Sequence, residues 1–295
     1  MNPKTKKMKK ILTAIFPLLL MLCVAVPQAS AQKKLKVEKP DLEQIKRATQ
    51  NPASSFYYPK LKALYEANDT VMTPEQFRYY YFGSMFQEDY NPYRKSDYTD
   101  RTDSLLNLNR AAMQRRDSTF KAHQGKNLGV YELNRLYKEA ERRSLREQQE
   151  IVNNAKLALD DNPFDIQSMY MLSRLLQDMG KKMSARVWDY RLENLLGAII
   201  SSGTGKSVED PFVVISPDHE YFLLEVLGYD VDDYNFVEPG FDYLKVHPSD
   251  PDRIPSSKTP AGFYFNVQPL IEQYNIKYPE NTDEQVTSGK EIILD

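Results

Sequence analysis

The sequence predicts an α+β protein: a mainly helical first part that includes a tetratricopeptide-like helical hairpin, packed on a small C-terminal antiparallel sheet. Three observations predict it. Apolar residues recur at helical spacing as far as Gly197, a proline-led capping box marks one helix start, and beyond Gly197 β-branched and aromatic residues begin to alternate. The expected organisation is a signal peptide over 1–31, a linker over 32–39, a single domain over 40–278 (helical 40–200, sheet 208–278) and a disordered tail over 279–295.

The amino end reads as an export signal. Lys4, Lys6, Lys7, Lys9 and Lys10 precede an unbroken apolar run from Ile11 to Val26, which is the order of a charged n-region and an h-region. Pro27 breaks the run, and Ala29-Ser30-Ala31 supplies the small residues of a cleavage site between Ala31 and Gln32. The run is short for a bilayer span, so no stable membrane span is expected after cleavage. Cys23 does not fit a lipidation signal, since Leu22 stands where a small residue is required. Removing five of the 39 basic residues leaves 34 against 41 acidic ones, a formal charge of −7. An acidic chain without a basic cluster is not expected to bind nucleic acid or anionic lipid. The single cysteine leaves with the signal, so neither disulfides nor thiolate metal sites are expected.

The elements follow in order. Pro40-Asp41 opens a helix with Leu42, Ile45 and Thr49 on one stripe, and Asp41 is placed to accept from the N–H of Gln44. Lys60 to Ala67 forms a second helix, with Leu61, Leu64 and Tyr65 on its apolar face. Thr73-Pro74-Glu75-Gln76 starts a third, expected to run to about Phe86, and its Phe77, Tyr79, Tyr80, Tyr81, Phe82, Met85 and Phe86 require enclosure on most sides. The phenol hydroxyls are expected to find partners at the core edge. Tyr90-Asn91-Pro92-Tyr93 makes a turn, and a polar stretch to Val130 carries a helical pattern around Leu105, Leu106, Ala112 and Met113. A long charged helix covers Tyr131 to about Leu159, with Leu133, Leu136, Leu145, Ile151 and Ala155 turned inward.

Ala158 and Pro163, then Leu172, Gly180 and Ala185, match the tetratricopeptide register in part, with Met169, Leu176 and Leu192 at its bulky positions. Without a third copy this predicts one or two hairpins rather than a solenoid. After Gly197, PFVVIS, EYFLLEVLGY, FDYLKV and GFYFNV are strand candidates, separated by Pro217-Asp218 and Pro239-Gly240 turns. The apolar run of EYFLLEVLGY also suits a short helix. Phe263, Phe265 and Val267 alternate with Tyr264, Asn266 and Gln268, as a half-buried strand requires. Pro248 to Pro260 is a proline-rich loop.

The blocks SFYYPKLKALYEANDT, FRYYYFGSMFQEDYNPY and SSGTGKSVEDPFVVISPDHEYFLL, in this order behind an apparent signal, resemble the exported bacterial proteins grouped as domain of unknown function 4919. The resemblance spans about Asp41 to Tyr278 and implies an envelope protein, without implying a reaction. Thr204 stands where that family's Ser-Gly-x-Gly turn is expected to carry an acid.

Candidate chemistry is sparse. Ser202-Gly203-Thr204-Gly205-Lys206-Ser207 looks like the end of a phosphate-binding loop, but Ile200 replaces the first glycine and a helix precedes the loop where a strand is needed. A helix-terminating turn, with Gly203 or Gly205 left-handed, is the expected reading. No two of His123, His219 and His247 share a helix face, and Asp230, Asp232 and Asp233 lack the glycine and glutamate of a calcium loop. No serine elbow is present. No catalytic, metal or cofactor-binding residue is therefore assigned, and no cofactor is expected. His219-Glu220, in an expected turn beside Asp218, is a candidate acid–base pair. Lys206, His219, Glu220 and Tyr221 form a candidate ligand surface at the junction of helices and sheet. Two functions follow: a non-catalytic interaction or scaffold domain binding another envelope protein or surface component from the periplasm or cell envelope, or a hydrolase or small-ligand binder using those four residues.

Overall fold

A computed structural model describes residues 37–67, 71–94, 96–107, 130–250 and 259–279. The expected signal peptide, its Ala31/Gln32 cleavage site, His123 and the tail beyond Pro279 lie outside the described residues. The chain divides into two compact units. One takes the described residues up to Ala63, then Thr73–Pro92, then those from Leu195 onward; the other takes Leu64–Met72 and Tyr93–Asn194. Helix and sheet together make the first unit an α+β body.

In that first unit, helix α1 (Leu42–Gln50) is capped by Asp41, whose side chain accepts from the Gln44 N–H at 2.9 Å. Ile45 and Thr49 face the core while Leu42 is half-buried. Helix α2 (Tyr58–Glu66) contributes the fully buried Leu61. Helix α3 (Pro74–Gly83) begins with the complete capping box: Gln76 N–H donates to Thr73 Oγ1 at 3.2 Å and Thr73 N–H to Gln76 Oε1 at 2.8 Å. It then tightens into a 3₁₀ turn over Ser84–Phe86. Every residue from Phe77 to Met85 is buried, including Arg78, whose guanidinium donates to Ser201 Oγ and to the Glu38 carbonyl.

The sheet order is β1-β4-β3-β2, from β1 (Phe212–Val213), β2 (Tyr229–Val237), β3 (Phe241–Pro248) and β4 (Gly262–Asn266). The sheet is mixed, which corrects the antiparallel expectation. β2/β3 and β3/β4 are antiparallel, but β4 returns beside β1 in parallel, Phe265 opposite Phe212. Parallel pairing needs a long crossover, and here a helix and the β2–β3 hairpin supply it. That helix, α8 (Asp218–Leu227), takes in EYFLLEVL of the segment EYFLLEVLGY, so of its two readings the helix holds and the strand is overturned. His219, Glu220, Phe222, Leu223 and Leu224 are all buried, and three consecutive buried apolar residues suit a helix enclosed by its neighbours better than an alternating strand. The fourth strand is β2, whose three aspartates hide it in the sequence; its side chains stay half-buried or exposed at the sheet edge. Phe263, Phe265 and Val267 are buried while Tyr264, Asn266 and Gln268 are partly exposed, as alternation requires. Helix α9 (Gln268–Lys277), absent from the sequence reading, follows β4 and buries Leu270 and Tyr274.

The second unit is helical. Residues 97–107 form α4, Val130–Asp161 α5, Ile166–Asp178 α6 and Lys182–Ile200 α7, of which the part up to Asn194 belongs here. α5 and α6 pack on one another across a turn in which Asp165 caps the Ser168 N–H at 2.8 Å. Ile151, Ala155, Ala158, Met169, Leu172, Leu176, Ala185 and Leu192 are buried. Leu64 and Leu145, expected inside, are 38% and 50% exposed. Leu133 and Leu136 have no described side chains. Arg191 is buried between the Tyr65 and Trp188 rings at 4.1 and 4.6 Å and donates to the Tyr65 carbonyl.

Candidate functional site

The polar groups of most chemical interest meet where helix α8 lies on the sheet of the first unit. Pro217 has helical φ and ψ and sets the start of α8, so His219 and Glu220 sit in its first turn and not in the expected hairpin turn. Successive helical residues diverge by about 100°. His219 accordingly reaches helix α3 while Glu220 reaches strand β3.

Tyr81, fully buried on α3, places its hydroxyl 2.8 Å from His219 Nδ1 and 3.3 Å from the Ile215 N–H, which donates to it. The phenol oxygen accepts from the backbone and shares a second hydrogen bond with Nδ1, whose direction is set by the imidazole tautomer. The rings lie 5.6 Å apart. Burial drives the Tyr81 hydroxyl well above its ordinary value, the Ile215 N–H opposes that, and the charge of Glu220 adds to it. Tyr90 fastens the same segment, between β1 and α8, by donating to the Ile215 carbonyl at 2.8 Å.

Glu220 is 1% exposed and hydrogen-bonded to the carboxyl of Asp242, itself 7% exposed at the start of β3. Tyr234 of β2 donates to Asp242 Oδ1 at 3.0 Å. Burial, then the neighbouring Asp242, raise Glu220 well above the carboxylate range, and burial raises Asp242 to about 6 against the hydrogen bonds from Tyr234 and Glu220. Tyr221, half-buried, is pushed up to about 12 by burial and by the charges of Glu220, Asp242 and Asp218. The arrangement can hold a proton between two carboxyls and keep three phenols neutral.

The four residues singled out in the sequence are therefore divided. Glu220 and Tyr221 share the Asp242–Tyr234 cluster, His219 pairs with Tyr81, and Lys206 is exposed in the loop after α7. Asp242, Tyr234 and Tyr81 complete the cluster. They were not legible as partners because 22 residues separate Glu220 from Asp242 in sequence and 138 separate Tyr81 from His219.

The loop 202–207 is built as a joint. Gly205 is left-handed (φ 67°), as the turn reading requires, and a Cβ on Gly203 would lie 2.0 Å from the Pro211 carbonyl oxygen. The N–H groups of Thr204 and Gly205 both donate to the Asp210 carbonyl, at 3.1 and 2.9 Å, and Thr204 Oγ1 donates to Asp210 Oδ2 at 2.7 Å. Those donors are turned to the protein's own chain and do not form a phosphate cradle. On the sheet edge, His247 Nδ1 lies 2.6 Å from Asp232 Oδ1, and Ser249 donates to Asp230, so two of the three aspartates that lack a calcium loop's glycine and glutamate tie β2 to β3 and the residue after it. Among the described residues no group of three or more His, Cys, Asp or Glu side chains could hold a metal ion, and no helix is long and apolar enough to cross a membrane.

No curated protein and no solved structure matches the chain significantly. The sequence does match a family over residues 43–124 and 120–276, a span that takes in both units and the whole Tyr81–His219–Glu220–Asp242 cluster. The chain belongs to the family described as Domain of unknown function (DUF4919).

Proposed function

We propose that this is an exported envelope protein that acts by binding another protein or a surface component, without catalysing a reaction. The observation that carries this reading is the exposure of large apolar side chains on the helical unit: Met183 is 77% exposed, Val71 69% and Leu145 50%. Large apolar side chains left in water at several places on one small unit favour a partner that covers them. The candidate chemical groups are arranged the opposite way, with His219 and Glu220 3% and 1% exposed and engaged by Tyr81 and Asp242. That burial gives a hydrolase or small-ligand reading little support.

Export rests on the five lysines, the apolar run from Ile11 to Val26 and the Ala29-Ser30-Ala31 site. The acidic balance and the partial tetratricopeptide register at Ala158, Leu172, Gly180 and Ala185 agree with a helical binding surface outside the cytoplasm. The test is chemical cross-linking of the chain from Gln32 onward in envelope extract, beside Met183→Asp and Leu145→Asp. A saturable complex that both variants lose is the expected outcome. Absence of a saturable complex, or one that both variants retain, rejects this surface as the binding site. Mass spectrometry of the native product is expected to find Gln32 at its amino end; retention of Met1 rejects export by cleavage.

A further inference from the structure

Helix α8 meets the sheet through two acids, and among the described residues no cation balances them. Glu220 and Asp242 are 1% and 7% exposed, hydrogen-bonded to each other, and no N–H or hydroxyl donor reaches Glu220 Oε1. The titratable groups that act on the pair are Asp218 and Tyr221 from α8, Tyr234 from β2 and Tyr81 from α3, all acidic or neutral. Two ionised carboxylates cannot occupy one water-excluded site at hydrogen-bond distance, so one of them carries a proton. Among the described residues no cation acts on either side chain, and their burial keeps bulk solvent from them.

We propose that Glu220 and Asp242 form a proton-bridged acid pair that latches helix α8 to strands β2 and β3, and that the latch loosens as the pH rises. A carboxyl that holds its proton more tightly in the closed state than in the open one favours closure most at low pH. That preference is lost as pH climbs from the ordinary carboxyl value to the closed-state value, and it then levels off. For Asp242 the interval is about 3.8 to about 6, and for Glu220 it begins at 4.5 and extends well above it.

The test is amide hydrogen exchange of residues 219–227 from pH 5 to pH 9, each rate divided by the unstructured-chain rate at the same pH. In the wild type, protection is expected to fall by up to tenfold per pH unit and then level; in Glu220→Gln, whose amide donates to Asp242 without titrating, it is expected to stay flat above pH 6. Equal slopes in the two proteins overturn the latch. Should the variant not fold, carbon-13 carboxyl NMR of the wild type decides: a Glu220 carboxyl still protonated at pH 6 supports the pair, and one that titrates near 4.5 overturns it.

Discussion

Tyr81→Phe removes one oxygen from a fully buried ring and leaves the ring's volume in place, so no cavity term enters. The hydroxyl is within 2.8 Å of His219 Nδ1 and accepts from the Ile215 N–H at 3.3 Å. Both of those groups are buried, His219 at 3% exposure and Ile215 at 3%. A buried polar group that loses its partner costs about 1–3 kcal/mol. The Ile215 bond is long and stands at the lower end, while the His219 bond is short and stands at the upper end, which gives about 2–4 kcal/mol in all. The phenol is neutral at any accessible pH, because burial raises it well above its ordinary value. Urea unfolding followed by far-ultraviolet circular dichroism measures it as a shifted midpoint at unchanged slope. A cycle with His219→Phe separates the contact from its surroundings, and a coupling of about 1 kcal/mol or more is expected for groups that touch. A midpoint change worth under about 0.5 kcal/mol, the size of an ordinary surface substitution, or strict additivity in the cycle, would refute the claim that Tyr81 and His219 hold α3 to α8.

Two further predictions concern backbone joints. Gly203→Ala places a methyl 2.0 Å from the Pro211 carbonyl oxygen, and because both atoms are on the main chain the loop must move. Thermal unfolding is expected to show a loss of about 1–3 kcal/mol, and an unchanged transition rejects the joint. Thr73→Ala deletes the hydroxyl that accepts from Gln76 N–H and is expected to cost about 1 kcal/mol in the same assay, with Thr73→Ser restoring most of it.

The parts of this fold that a reader of the chain can find are those decided by near neighbours. The Asp41 cap, the Thr73-Pro74-Gln76 start of α3, a left-handed glycine at 203 or 205 and the alternation of Phe263, Phe265 and Val267 each depend on residues within a few positions, and all appear in the structure, the glycine at 205. Where local signals are balanced the outcome shifts to tertiary context. EYFLLEVLGY carries an apolar run that suits either a strand or a helix, and the need to bury Phe222, Leu223 and Leu224 together decides for the helix. YDVDDYNFV is not among the strand candidates, yet it forms β2 because β3 supplies a backbone partner from Tyr229 to Val237 on both sides of an irregularity at Asp232.

The candidate site shows the same division. His219, Glu220 and Tyr221 stand out in the sequence as polar residues beside a turn signal, but their partners Tyr81, Tyr234 and Asp242 come from three other elements. By itself the sequence determines the family, the starts of α1 and α3 and the alternation of β4, since hydrogen-bond caps and side-chain periodicity act within a turn or a few strand residues. Tertiary structure alone decides the parallel β1–β4 pairing and the removal of two carboxyls from water onto one another. Both depend on which distant surfaces come to exclude solvent, and that is a property of the folded chain as a whole.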